Sequence, residues 1–205
     1  MKARLKLLVV GALALGMLQG WGQGTQQQAR PLAESGQILV AGRSTPFLIR
    51  HLPVSSFPEL PETIVAALNR RGCLIPQTYE AHHPENVVHA SLERPGSSDW
   101  AVLCAVDGKV SLLVFFDGGS AEGQPAVLAS AMEVDRLQLH PGSGVLGFNW
   151  GIDAASPQQV HEAQTGLDKR PPRLDHDALA DAVIERSTVY RFFLRNAWTV
   201  LEMPE

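Results

Sequence analysis

The sequence predicts an α+β fold: a single domain whose antiparallel sheet has a buried central hairpin at 100–116, covered on one face by a helix at 61–71. Three observations predict it. The segment 97–119, SSDWAVLCAVDGKVSLLVFFDGG, is apolar on both faces of the strands it would form. An amphipathic helical pattern precedes that segment. The two cysteines of the chain, Cys73 and Cys104, stand where they can join the helix to the hairpin.

The hairpin prediction rests on the Asp-Gly pair at 107–108. This pair suits a two-residue turn with positive φ, which pairs Val106 with Lys109 and fixes the register back to Trp100 and Phe115. A strand with one wet face alternates apolar and polar residues, and these strands do not. We therefore expect both faces to be covered, with the hairpin at the centre of the domain.

The helix at 61–71 has start and stop signals. Proline is favoured at the first helical position, as at Pro61, and Gly72 is typical of a helix end. Its apolar residues recur at every fourth position, at Leu60, Ile64 and Leu68.

An even pair of cysteines in an oxidising compartment is usually a disulfide. A bond between Cys73 and Cys104 closes a loop of about thirty residues and stabilises the fold by roughly 3 kcal/mol in the chain-entropy model. Because Cys104 lies on the Trp100 face of the hairpin, the bond would place the helix on that face. The alternative is one reactive thiol and one buried, inert thiol.

The amino terminus predicts export. Residues 1–22 resemble a signal peptide, with basic residues before an apolar run at 7–18 and a possible cut after Gly22, or later after Gly24 or Ala29. That run is shorter than the roughly 20 residues of a membrane span, although an uncleaved anchor is the alternative. We expect a secreted or periplasmic product with no stable membrane span, a flexible lead-in at 23–36, and one domain at 37–205.

The charge of the mature chain argues against nucleic acid as a partner. Three of the 17 basic residues lie in the leader, so 14 basic residues face 21 acidic ones, a formal charge of −7. Nucleic-acid binding requires a basic surface. A protein or a cell-envelope component is the expected partner.

The rest of the chain supplies further strands and one more helix. The run DHDALADAVIER at 175–186 favours a helix capped by Asp175. Two strands at 188–194 and 197–203 should form a hairpin that turns at 195–196. Strands are also expected within 86–93, which should pair with the central hairpin, and within 126–139.

Residues 140–177 are rich in Gly, Pro and Asp and predict a long loop region with a short helical turn near 157–162. Long loops in compact domains are often functional. The aromatic side chains of Phe148 and Trp150 suit an apolar contact, although a tryptophan that anchors the loop is the alternative. We predict a ligand-binding site here, formed by Phe148, Asn149, Trp150 and Asp153.

No cofactor is expected. Glycines at 142, 144 and 147 spell the dinucleotide fingerprint but lack the helix and the acidic residue that a βαβ unit places after it. His82, His83 and His89 are weak metal candidates, because adjacent histidines point apart in an extended chain. No catalytic constellation is recognisable.

The stretch ASLERPGSSDWAVL at 90–103 resembles one copy of the calcium-loop repeat of integrin-type β-propellers, the FG-GAP family. Gly96 and Asp99 fit its pattern, and Glu93 stands at an acidic place. The resemblance implies a calcium loop ahead of a propeller strand, but Ser91 and Pro95 replace aspartates of the family. The leader together with RGCLIPQ and DWAVLC is similar to exported bacterial proteins, a likeness that implies no activity.

Two functional hypotheses follow. The first is an exported, non-enzymatic module that binds a protein, an envelope component or a small ligand through the 140–177 region. The second is a metal-dependent or acid-base hydrolase of the cell envelope that uses His82, His83 or His89, or the acidic residues Asp153, Asp175 and Asp177.

Overall fold

A computed structural model describes residues 32–119, 124–165, 170 and 173–202. The predicted signal peptide at 1–22, and the lead-in up to residue 31, lie outside these residues. The described residues form two sheets. The large sheet contains nine strands: β1 (Ala33–Val40), β2 (Arg43–Pro53), β3 (Leu74–Gln77), β4 (Val87–Ala90), β5 (Asp99–Val106), β6 (Lys109–Phe115), β7 (Ala126–Met132), β8 (Leu137–Leu139) and β9 (Leu146–Phe148). The second sheet contains four: β10 (Trp150–Ala155), β11 (Ala178–Val183), β12 (Ser187–Leu194) and β13 (Ala197–Glu202).

Helical structure is short in the described part of the chain. The α-helices are α1 (Glu62–Arg71) and α2 (Pro157–Ala163), and two 3-10 turns cover Val54–Ser56 and Glu133–Arg136. Gly72 ends α1 in the left-handed region, at φ 69°. Ser156 caps α2, where its hydroxyl accepts a hydrogen bond from the Gln159 amide.

The central hairpin has the register that its turn predicts. Strands β5 and β6 pair Val106 with Lys109 and Trp100 with Phe115, with the Asp-Gly turn at 107–108 in the positive-φ region. Strand β4 pairs with the other edge of β5, as expected for the 86–93 segment. The hairpin prediction is therefore confirmed at the level of residue pairs.

Both faces of the hairpin are buried, each in a separate apolar cluster. Leu103, Leu112 and Val114 belong to a cluster that also contains Trp150, Ile152 and Leu179 of the second sheet. The opposite face carries Trp100, Val102, Cys104, Leu113 and Phe115. The second sheet thus covers one face of the hairpin, which is why that face contains no polar residue.

The α+β prediction is wrong. The structure is mostly β, with a large mixed sheet, because β2 and β9 run parallel, and a second sheet. A helix does not form the cover of the Trp100 face by itself, since α1 has only ten residues and two buried side chains. That face meets a mixed layer of loop, 3-10 turn and helix, contributed by Val54, Phe57, Leu60, Ile64 and Leu68.

Cys73 and Cys104 are joined, with Cα atoms 5.1 Å apart, and the disulfide prediction is confirmed. The bond connects the residue after the α1 stop to the middle of β5. It therefore fixes the mixed layer to the central hairpin.

The helix predicted at 175–186 is also wrong, since residues 178–183 form β11. This strand pairs with β10 along one edge and with β12 along the other, so its main-chain groups find partners without a helix. Its side chains alternate: Leu179 enters the cluster between the sheets, and Ala178 enters a third cluster on the outer side. Asp175 caps no helix, and its carboxylate meets the His176 ring instead.

The long loop predicted at 140–177 is partly structured. It contains β9, β10 and α2, and the helical turn expected near 157–162 is confirmed as α2. The hairpin expected at the carboxyl end is β12 and β13, with both turn residues at 195–196 in the positive-φ region. At the other end, β1 begins at Ala33, so the domain boundary predicted at 37 falls inside that strand.

A polar chain crosses three neighbouring strands of the second sheet and meets Arg136 outside it. The indole N–H of Trp150 donates to Asp181, whose other carboxylate oxygen accepts from Arg191 at 2.7 Å. The Arg136 guanidinium lies 4.4 Å from the centre of the Trp150 ring. Among the described residues, no helix is long and apolar enough to cross a membrane.

Candidate functional site

The strongest candidate site is a cleft of about 480 Å³ between the second sheet and the segment 78–88. Most of the second-sheet residues that line it belong to the outer face of that sheet, and Ile152 and Val88 connect it to the cluster between the sheets. Strands β10, β11 and β12 provide one wall. The chain that enters β4 provides the other.

Small residues line the wall that the second sheet provides, which we call the floor of the cleft. Strand pairing places Gly151 opposite Ala182, and Asp153 opposite Ala180, with Tyr190 next in line across β12. A Cβ added at Gly151 would stand 3.6 Å from both Ile184 and Thr78, which is ordinary contact. The cleft exists because large side chains are absent from this part of the sheet face.

The opposite wall is held by side-chain amides. The Gln77 side chain accepts from the Glu85 amide at 2.9 Å and donates to the Glu85 carbonyl at 3.1 Å. Asn86, at φ 70°, donates to the carbonyls of Pro76 and Trp150 and accepts from the Ile152 amide. Two amide side chains therefore replace the strand pairing that this segment lacks.

Two carboxylates, Glu85 and Asp153, are among the polar groups of the cleft. Glu85 accepts a hydrogen bond from the Thr78 hydroxyl at 2.7 Å, which orients its carboxylate. Asp153 is exposed, and one of its oxygens accepts from the adjacent Ala154 amide. No lysine or arginine is among the described residues that line the cleft. The site is suited to a ligand that brings hydrogen-bond donors and positive charge.

Two further groups of the cleft have free bonding capacity. The Tyr190 hydroxyl and the His83 ring line the cleft and make no hydrogen bond to any other described residue. Both are donors as well as acceptors, and the tyrosine ring offers an aromatic face.

The structure separates the residues predicted to bind ligand. Phe148, Asn149 and Trp150 are buried, with the Trp150 side chain fully enclosed. They anchor the region, which is the alternative reading of the tryptophan, and present no apolar surface to a ligand. Only Asp153 of the predicted four lines the cleft.

The three candidate histidines lie in different surroundings. His83 lines the cleft, and His82 is exposed. His89 stacks on Trp100, with ring centroids 4.4 Å apart, and bonds to the Ser98 hydroxyl. Within the described ranges, no three His, Cys, Asp or Glu side chains are grouped to hold a metal ion.

The loop that resembles an FG-GAP repeat is closed by its own chain. Asp99 is fully buried, and one carboxylate oxygen accepts from the amides of Leu92 and Glu93 and from the Ser97 hydroxyl. The other oxygen accepts from the Asp117 amide. Both carboxylate oxygens of Asp99, the residue that the resemblance assigns to calcium, thus already accept hydrogen bonds from the protein itself.

The acidic hydrolase candidates are distributed over the surface. Asp153 lines the cleft, whereas Asp177 accepts from the Ser91 amide at 3.0 Å, between the two sheets. Asp175 lines a second recess, of about 270 Å³, with His176. There the hydrogen bond from His176 holds the pKa of Asp175 below its usual value.

Sequence reasoning missed Thr78, Glu85, Asn86 and Tyr190, which give the cleft its chemistry. They come from segments about 100 residues apart, and none belongs to a recognisable motif. The one usable signal was Pro84, which ends regular structure just before β4.

Comparison of this chain with protein-family models, curated proteins and solved structures finds no match.

Proposed function

We propose that this chain is an exported, non-enzymatic binding module that holds a small, positively charged ligand in the cleft between the second sheet and residues 78–88. The observation that carries the proposal is the combination of a formed cleft with two carboxylates, Glu85 and Asp153, and no lysine or arginine in the described lining. A cation there gains charge-assisted hydrogen bonds.

The rigidity of the walls supports binding. The hydrogen bonds made by the side-chain amides of Gln77 and Asn86 hold the cleft open in the absence of a ligand. A preformed site loses little conformational freedom when a ligand enters, so more of the interaction energy appears as affinity.

Calorimetric titration tests the ligand class with three probes of equal carbon-chain length: butane diamine, butanediol and succinate. We expect the diamine to bind, the diol to bind more weakly and succinate not to bind. Asp153→Asn should weaken diamine binding about three- to tenfold, the loss of one charged hydrogen bond at a partly exposed site. The control is Asp135→Asn, an exposed carboxylate away from the cleft.

Two results would separate the parts of this proposal. Equal binding of the diamine and the diol would remove the charge argument and leave the cleft as a polar site. Ala182→Leu fills the floor and should abolish binding of the diamine and of the diol. Undiminished binding in that variant would place the site elsewhere.

The export part has its own support and test. The basic start and the apolar run at 7–18 favour transport through a membrane and removal of the leader. Amino-terminal sequencing of protein recovered from the envelope or the medium should begin at Gln23. Recovery in the cytoplasm with Met1 retained would contradict it.

A further inference from the structure

The outer edge of β1 is unpaired. This strand pairs with β2 along one edge, and no described strand pairs with its other edge. Seven of its eight residues are exposed. An edge strand usually carries a device that prevents pairing with another chain, such as a proline, a bulge or several charges. Strand β1 has no proline, no register shift and one charged residue, Glu34.

The turn at 41–42 determines which main-chain groups of β1 point outward. It has two residues, so Val40 and Arg43, which flank it, form a pair joined by main-chain hydrogen bonds. The His51 amide donates to the Leu32 carbonyl at 2.7 Å, which agrees with even-numbered residues bonding to β2. The odd-numbered residues of β1 therefore direct their N–H and C=O groups to the free edge. These residues are Ala33, Ser35, Gln37 and Leu39.

We propose that β1 pairs with β1 of a second copy of this chain, antiparallel about a two-fold axis that passes between the two Gly36 residues. In this register Ala33 lies opposite Leu39 of the second copy, and Ser35 lies opposite Gln37 of the second copy. Each of these pairs occurs twice, because the contact is the same on both chains. The outward N–H and C=O groups of both strands, which bond to no other described residue, all gain partners.

Neighbouring registers leave some of these groups unpaired. An axis through Gln37 would place Ala33 opposite Ala41, a turn residue at φ 48° that cannot continue the ladder. An axis through Ser35 would leave Leu39 beyond the end of the paired segment. The register centred on Gly36 is therefore the one that uses the whole free edge.

The side chains also suit pairing with an identical strand. Leu39 is 78% exposed, and in the dimer it packs against the small side chain of Ala33. Glu34, the one charged residue, lies opposite Ile38 of the second copy. Two carboxylates therefore do not face each other across the axis, where like charges would oppose pairing.

Sedimentation equilibrium of the purified protein tests the association. A contact one strand wide is small, so we expect a dissociation constant of roughly 1–100 µM. Gln37→Pro removes an outward N–H and leaves the hydrogen bonds to β2 in place. It should weaken dimerisation at least about tenfold, because each copy loses a hydrogen bond at the interface. Leu39→Lys adds a charge to the same edge and should also weaken it.

Val200→Pro is the matched control, on the edge strand of the second sheet. The two-residue turn at 195–196 joins Leu194 and Ala197 as a hydrogen-bonded pair, so the Val200 N–H points away from β12. We expect this variant to keep the dissociation constant of the unmodified protein. A dimer that is lost in Val200→Pro, or that survives both substitutions in β1, would overturn the proposal.

Amide hydrogen exchange, measured by NMR, locates the contact. The outward amides of Ser35, Gln37 and Leu39 should exchange more slowly as the protein concentration rises. The amide of Ile38 bonds to β2 and should not depend on concentration. A protein that stays monomeric up to about 1 mM would overturn the proposal. Slow exchange of the three outward amides in a monomer would also overturn it, since another segment of the same chain would then cover the edge.

Discussion

The indole N–H of Trp150 lies 2.5 Å from a carboxylate oxygen of Asp181, in a pair buried between the two sheets. The same carboxylate accepts from Arg191. One acidic side chain therefore satisfies a buried indole and a largely buried guanidinium.

Asp181→Ala should reduce the free energy of unfolding by about 3 kcal/mol, because it leaves both buried donors without an acceptor. Urea denaturation of purified protein measures the change. Asp135→Ala removes an exposed carboxylate and should have little effect. Equal midpoints for the two variants would mean that the buried carboxylate contributes nothing to stability.

Gly147→Ala should destabilise the fold by about 1–3 kcal/mol, in the range of an overpacked interior. An added Cβ at this position would stand 2.4 Å from the Cβ of Tyr79, closer than packed atoms allow. Gly151→Ala is the matched control in the next strand, since its Cβ would meet only atoms at 3.6 Å. The idea fails if thermal unfolding does not distinguish the two variants.

Replacing both Cys73 and Cys104 by serine should lower the free energy of unfolding by about 3–4 kcal/mol, the chain-entropy value for a loop of this length. Chemical denaturation with and without reductant measures the loss. Once reduced, the unmodified protein should have the same free energy of unfolding as the double variant. The free energy of unfolding of the variant should not change with reductant. A reductant-sensitive variant would contradict the assignment.

Burial, the hydrogen bond to Glu185 and the charges of Glu185 and Glu80 raise the pKa of Tyr79. A group whose pKa is raised by folding contributes stability that is complete below the unfolded value, near 10, and is lost as the pH rises beyond it. Glu185→Gln should therefore lower the pKa of Tyr79.

Ultraviolet titration of tyrosinate measures that shift. The chain has two tyrosines, so the measurement is made in a Tyr190→Phe background. Glu59→Gln changes an exposed carboxylate elsewhere and serves as the control. Identical Tyr79 midpoints in both variants would show that Glu185 has no influence on the phenol.

Local sequence signals were sufficient to predict the two hairpins. The other strands could not be predicted in this way, because their pairing partners are distant in the sequence. The Asp-Gly turn at 107–108 and the Arg-Asn turn at 195–196 fix their registers within a few residues, so the sequence alone was sufficient. The 178–183 segment is rich in alanine and suits either helix or strand, and its state depends on β10 and β12, which flank it. No local sequence pattern in 178–183 predicts that β10 and β12 flank it.

The site was harder to predict than the fold. Aromatic residues in a glycine-rich stretch are often exposed, which favours Phe148 and Trp150 as ligand contacts, but β9 and β10 carry both of them into the interior. The cleft depends on side chains that the sequence leaves out, at Gly151, Ala180 and Ala182. The shape of the cleft is determined by the tertiary structure, and the sequence pattern contains little information about it.

Asn86 connects the two sheets with one side chain, through Pro76 on one and Trp150 and Ile152 on the other. The width of the cleft therefore cannot change unless that amide gives up its partners. Entry of a guest should follow simple bimolecular kinetics, without a slow isomerisation before or after the encounter, and the liganded and empty forms should superimpose.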